Sequence, residues 1–247
     1  MVTNTNILIY ENTKELPYFF SDEDLSKIAR ELLNYRKYPD GEWGNFCKSR
    51  TFMIFMISAT MGLRTGEVCG LLKDDIDFKE NTLRVRSEWN KCKSERVLPI
   101  PQVILKLLKN HYLLLPKRFW NITCGKGKRT KSRIESPYLF PSKINPKIRT
   151  KTVSNLFNSV LKAQGLWKIK YISKKGKPVP KFRFYTLRHS FASKLYNQYK
   201  DIFLVSNMLG HRRIESSKIY VHTDKDYQMY QRKALNNMMS VKMEVEQ

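Results

Sequence analysis

The sequence predicts a mainly α-helical domain carrying a small antiparallel β-sheet, an α+β arrangement. Apolar residues recur at helical spacing through most of the chain, while period-two alternation is confined to residues 83–86 and 96–100. With 41% apolar and 12% aromatic residues, 247 residues can bury enough surface to offset backbone ordering, which excludes a wholly disordered chain.

Residues 1–20 read as an arm without a clear period. Ser21 can cap a helix that begins with Asp22, Glu23 and Asp24 and has Leu25, Ile28, Ala29, Leu32 and Leu33 on one face. A turn-rich stretch at 38–41 leads into residues 49–61, apolar nearly all round, which predict a buried central helix ended by Gly62. A short helix follows over about 65–72. Two alternating segments, Leu83-Arg84-Val85-Arg86 and Arg96-Val97-Leu98-Pro99-Ile100, predict the antiparallel pair. Residues 103–115 read as a helix stopped by Pro116, and 138–140 as a short extended piece. Val153, Leu156, Phe157, Val160 and Leu161 mark a helix ended by Gly165. Further helices are predicted near 186–198, 202–209 and 216–221, with a C-terminal one from Asp224.

Charge gives the first functional pointer. Lys and Arg number 46 against 22 acidic residues, a formal balance of +24, which points to a polyanionic partner, nucleic acid first and an acidic membrane second. No stretch approaches the roughly 20 apolar residues of a membrane span, and the N-terminus lacks the layout of a signal peptide, so a cytoplasmic, DNA-associated protein is expected. Two clusters read as loops laid along phosphates. One is 126–133, with Lys126, Lys128, Arg129, Lys131 and Arg133; the other is 168–181, with Lys174 and Lys175 at its turn. Cys47, Cys69, Cys92 and Cys124 form no C-x-x-C and have no His pair at zinc spacing, so reduced structural thiols and no metal site are expected.

Single residues say little: Arg64 could be a surface arginine, and Gly210 before His211 an ordinary helix cap. Their order says more. MGLRTGEVCGL is followed by K-x-K-x-E-R-x-x-P, then Y-x-L-R-H-S-F-A-S, then LGH with Tyr220 nine residues beyond His211. This series resembles the tyrosine recombinase (phage integrase) family over its whole catalytic domain. The resemblance implies that family's catalytic-domain fold over 21–223, an arm before it and a tail over 224–247, without the N-terminal core-binding domain usual in the family.

What the resemblance implies about chemistry agrees with what these residue types can do. A phosphodiester attacked in line gathers negative charge on its non-bridging oxygens, and guanidinium groups answer that charge without losing a proton. Arg64 and Arg188 are the implied pair, with His211 donating to a phosphate oxygen and Tyr220 the nucleophile. Lys91 is the implied general acid for the leaving 5′ oxygen, with Lys93 as the alternative. Tyr185 stands where the family usually has histidine, and a phenol is a poor base near neutrality. Glu67, three residues after Arg64, is expected to orient an arginine, and His189 to serve core or surface.

The implied reaction cleaves and rejoins DNA through a 3′-phosphotyrosine with no cofactor, neither metal nor ATP; the partners are double-stranded DNA and further copies of the chain, a tetramer on paired sites. Such an enzyme would serve DNA recombination and integration, as in a mobile genetic element. Two other readings stay open from sequence. One is a type IB topoisomerase-like nicking-closing enzyme; the other is a DNA-binding protein that keeps the fold without catalysis.

Overall fold

Ser21 opens the first helix as its sequence requires. The computed structural model describes residues 17–35, 38, 40–89, 95–113, 115–124, 132–173 and 176–221, with 110, 111, 122–124, 132 and 133 by backbone alone. Helix α1 (Asp22–Leu33) begins in a reciprocal cap: Ser21 Oγ accepts from the Asp24 amide, and the Asp24 carboxylate accepts from the Ser21 amide, both at 3.1 Å. Ile28 and Leu32 are buried, whereas Leu33 is half exposed, so the apolar face is narrower than the sequence predicts.

Helix α2 (Glu42–Met61) starts seven residues before the predicted boundary, at the Gly41 turn. The added turns are held by aromatic packing: the Phe46 ring stacks on Phe119 at 4.8 Å and meets Trp120 edge-on at 5.5 Å. Such partners are distant in sequence, which is why local periodicity does not reveal the extension. At the other end Gly62 takes the left-handed conformation, φ +67°. That turn delivers the chain to α3 (Thr65–Cys69), shorter than predicted and followed by a 3₁₀ turn at Lys73–Asp75.

The predicted pair forms as β2 (Thr82–Val85) against β3 (Arg96–Pro99), antiparallel with Val85 opposite Arg96, and β1 (Ile76–Asp77) adds a third strand beside β2. Leu83, Val85 and Leu98 face the core. Helix α4 (Gln102–Leu107) runs on only as a π turn over Leu108–Tyr112.

Two further hairpins go beyond the sequence expectation. Strands β4 (Asn121–Cys124) and β5 (Ser132–Glu135) flank the first basic cluster, and β6 (Ile169–Ile172) pairs with β7 (Pro178–Pro180) in the second. Of the first basic segment, expected to be a loop, only 132–133 are described, in β5; the second is carried largely by the paired backbone of β6 and β7 instead of a loop, and 125–131 and 174–175 lie outside the described residues. In the extended piece at 138–140, Tyr138 bridges to Leu72, the Leu139 amide donates to the Leu71 carbonyl, and the Phe140 carbonyl accepts from the Ile148 amide.

Helix α5 (Thr150–Ala163) buries Val153, Phe157, Val160 and Leu161. Helix α6 (Thr186–Tyr199) crosses α2, and α7 (Ile202–Leu209) is capped by Asp201, whose carboxylate accepts from the Phe203 and Leu204 amides. A 3₁₀ turn at Ile214–Ser216 leads into α8 (Lys218–Val221). The predicted helix from Asp224 lies outside the described residues.

One large core surrounds α2, and a smaller cluster of Ala192, Tyr196, Val205, Leu209 and Tyr220 joins α6, α7 and α8. Among the described residues, no helix is long and apolar enough to cross a membrane. No group of three His, Cys, Asp or Glu side chains could hold a metal ion there either. Cys47 and Cys69 are buried free thiols; the side chains of Cys92 and Cys124 lie outside the described residues.

Candidate active site

Three chain reversals converge on one cleft. The left-handed Gly62 turn puts Arg64 at the N-cap of α3, the Tyr185 turn starts α6, and left-handed Gly210 (φ +62°) releases His211 from α7. Arg64, Tyr185, His189, His211, Arg212, Arg213, Ser216, Ile219 and Tyr220 line the resulting cleft of about 610 Å³. Residues from four separated segments thus meet. The sequence had named Arg64, Tyr185, His211 and Tyr220 among them; Arg212, Arg213 and His189 are additions.

Glu67 organises the cationic side. Its carboxylate accepts from Arg64 twice, from the backbone N–H and from Nη1, both at 2.8 Å. It also accepts both ends of the Arg96 guanidinium, at 3.1 and 2.9 Å. Burial alone would raise this carboxyl, but the Arg96 hydrogen bonds and charge, joined by Arg64, outweigh it and hold the acid below its ordinary range. Glu67 therefore orients two arginines, from α3 and from β3.

Arg188 sits beneath the cleft and does not line it. Its Nη1 donates to the Gly62 carbonyl at 2.8 Å and its Nη2 to the Leu209 carbonyl at 2.6 Å. Only 1% of the residue is exposed, and Glu67 lies 3.9 Å away. The expected pair of phosphate-facing guanidiniums is thus one facing group, Arg64, and one buried group that ties the C-terminal ends of α2 and α7. Burial, with Arg64 as a neighbouring cation, draws Arg188 down to about 10, so it stays charged at neutral pH.

Tyr220 is 1% exposed, and its hydroxyl lies 3.0 Å from His189 Nδ1. Burial and the nearby Tyr185 phenol raise its pKa, with Arg188 and Arg64 pulling the other way. His189 was expected to serve core or surface, and this contact corrects that reading. The sequence signal was present: positions 185 and 189 are one helical turn apart and share a face, and the two rings meet edge-on at 4.9 Å. His211 Nδ1 pairs with Ser217 Oγ at 2.7 Å, which fixes its ring. Burial first, then the cations Arg188 and Arg64, draw His211 down to about 4; burial and Arg188 do the same to His189. Both imidazoles are neutral at physiological pH.

Lys91 and its alternative Lys93 lie outside the described residues, as do Lys126, Lys128, Arg129, Lys131, Lys174 and Lys175. Arg133 is placed by its backbone alone, in β5.

The model of the phage integrase family matches residues 28–226. Tyrosine recombinase XerC of Thermodesulfovibrio yellowstonii is 27% identical over 211 residues, covering 85% of this chain and 60% of the relative. Tyrosine recombinase XerA of Pyrococcus furiosus is 31% identical over 210 residues, covering 84% and 58%. Among solved structures, XerH site-specific recombinase bound to its difH substrate superposes with a TM-score of 0.61 at 18% identity, covering 87% of this chain and 53% of that one. The Tn1549 transposon integrase in complex with transposon right-end DNA gives 0.63 at 14% identity, covering 92% and 68%. At such identities the structural likeness establishes the fold. The chain spans about 60% of the length of these curated relatives.

Proposed function

Because the chain belongs to the phage integrase family, we propose that it cleaves and rejoins DNA at specific sites through a covalent bond between Tyr220 and a 3′ phosphate. The observation that carries this reading is the cleft itself, lined together by Tyr220, three arginines and two neutral imidazoles. A phosphodiester entering it meets Arg64 as a two-pronged donor, and Arg212 and Arg213 at the rim. His211 donates from Nε2 to a non-bridging oxygen, its other nitrogen being held by Ser217. Arg188 contributes its charge from below.

In the proposed step the Tyr220 oxygen attacks phosphorus in line, the P–O5′ bond breaks, and a lysine of the β2–β3 turn, Lys91 or Lys93, protonates the leaving oxygen. The ester stores the bond energy, so the reverse attack by a 5′ hydroxyl rejoins the strand without an external energy source. Double-stranded DNA is the proposed substrate, gripped through the excess charge of the basic hairpins. Exchange between two duplexes calls for several copies of the chain, a tetramer on paired sites. The proposed catalytic unit is 21–223, with 1–20 as an arm and 224–247 as a tail. The relatives' names favour strand exchange over a nicking-closing activity or a non-catalytic role.

The test is capture. The protein is incubated with a library of nicked suicide duplexes carrying a randomised segment, and covalent adducts are recovered from a denaturing gel and sequenced. Wild type should yield adducts converging on one site, and Tyr220→Phe none. Absence of any wild-type adduct refutes the reading, and plasmid relaxation without site preference transfers it to the nicking-closing class.

A further inference from the structure

The sequence leaves the cleft without its expected base, since Tyr185 occupies the position where a histidine is usual. We propose that His189 is a further catalytic residue, whose Nδ1 takes the phenolic proton of Tyr220 as the tyrosine attacks phosphorus; this rests on the recombinase reading above. The argument is geometric. The Tyr220 hydroxyl lies 3.0 Å from Nδ1, within direct proton-transfer reach. Of the other groups lining the cleft, His211 has its Nδ1 engaged by Ser217, and the arginines are donors that carry no lone pair. Tyr185 packs its ring against His189 edge-on, at an interplanar angle of 84°, and so steadies the imidazole.

The protonation state suits the task. Burial and the Arg188 cation keep His189 neutral down to about pH 4, so the ring holds a free lone pair at working pH. In the empty cleft the transfer is uphill, because Tyr220 is held protonated. Two changes reverse that as the reaction proceeds. A phosphodiester anion beside Arg64 and His211 favours the imidazolium, and bond formation to phosphorus acidifies the phenol. The step balances: Oη–P forms and P–O5′ breaks. The phenolic proton moves to His189, and the leaving oxygen gains a proton from the hairpin lysine. Rejoining runs the same path backwards, with His189 returning its proton to Tyr220.

The groups facing His189 are Tyr185 and Arg188 on its own helix and Tyr220 on α8, with Arg64 and His211 across the cleft.

The experiment uses the duplex recovered by capture with wild-type protein. At pH 7, His189→Ala and His189→Gln should slow adduct formation by about 10²–10⁴-fold, with duplex affinity retained. For His189→Ala the rate should rise about tenfold per pH unit above 7, as hydroxide replaces the missing base, and added imidazole should restore part of it. Rates within about threefold of wild type overturn the proposal. So does a slow variant with the wild-type pH profile and no imidazole rescue, which marks a structural role. A measurement on wild type avoids any folding defect: ¹⁵N-histidine spectra at pH 7 should show His189 as the neutral Nε2–H tautomer. An Nδ1–H tautomer, or an imidazolium, would donate to the phenol and overturns the proposal. Failure of wild type itself to form an adduct sinks the recombinase reading and this step together, whereas a fast His189 variant sinks this step alone.

Discussion

Glu67 grips the Arg96 guanidinium with both carboxylate oxygens, at 3.1 Å to Nη1 and 2.9 Å to Nη2. The pair joins α3 to β3 and is almost wholly shielded, with side-chain exposures of 0% for Glu67 and 9% for Arg96. Its location decides its consequence: the same carboxylate sets the direction of Arg64, so stability and the shape of the cleft hang on one side chain.

Glu67→Gln should therefore cost about 3–5 kcal/mol of unfolding free energy, the loss expected when a buried charge pair is broken from one side. Urea denaturation measures it. Adduct formation should fall as well, since Arg64 loses the partner that orients it. A variant with wild-type stability would contradict the pairing.

Arg188→Ala should behave differently from Arg64→Ala. Removing Arg188 strands the buried carbonyls of Gly62 and Leu209, at about 1–3 kcal/mol for each group. Thermal melting should show the loss for Arg188→Ala, and Arg188→Lys should recover it only in part, because one ammonium lacks the planar fork. Arg64→Ala should abolish adduct formation while the protein still folds and binds duplex.

Stability should decline as pH falls from about 6.5, the ordinary histidine value, towards about 4. His189 and His211 are neutral when folded and bind protons more readily when unfolded, so each contributes stability above the unfolded pKa that is lost through this window. Glu67 adds a further loss at lower pH: its folded pKa is depressed, so its contribution holds above the unfolded value of about 4.3 and fades below it. Urea midpoints across pH 4–8 check this, and an Asn at either histidine should flatten the upper part of the curve.

Gly62→Ala should destabilise by two separate routes. Its φ of +67° costs an L-residue about 1–2 kcal/mol. The added Cβ would also stand 2.5 Å from Phe191 Cδ1 and 2.9 Å from Leu209 Cδ2, at an overpacking cost of about 1–3 kcal/mol. Calorimetry measures the sum.

Duplex affinity should fall steeply with salt, by about 10³–10⁵ between 50 and 200 mM if 6–10 phosphates are neutralised. Replacing Lys126, Lys128, Arg129 and Lys131 with Ala should lessen that slope, read by titration at several salt concentrations.

Much of this was legible in the sequence because it is written locally. Ser21 with Asp24, the glycine at 62 and the alternation at 83–86 each specify their own element through contacts a few residues away. What was not legible depends on distant partners. The first turns of α2 form because Phe46 meets Phe119 and Trp120, and β4 with β5 lacks a strong alternation. In the site, Arg64, Tyr185, His211 and Tyr220 converge on the cleft, but two features needed coordinates. Arg188 turns inward to two carbonyls, and Tyr220 swings over α6 to reach the residue beside Arg188, because α8 is placed by the small core around Tyr196, Val205 and Leu209.

The buried guanidinium of Arg188 clasps segments 126 and 21 residues away in sequence. A single planar cation thus acts as a keystone: the spacing between the walls that carry Arg64 and His211 is set by the span of one side chain. Widening the mouth by parting those walls means tearing a charge from both carbonyls that it holds. The floor of the cleft thus keeps its gauge.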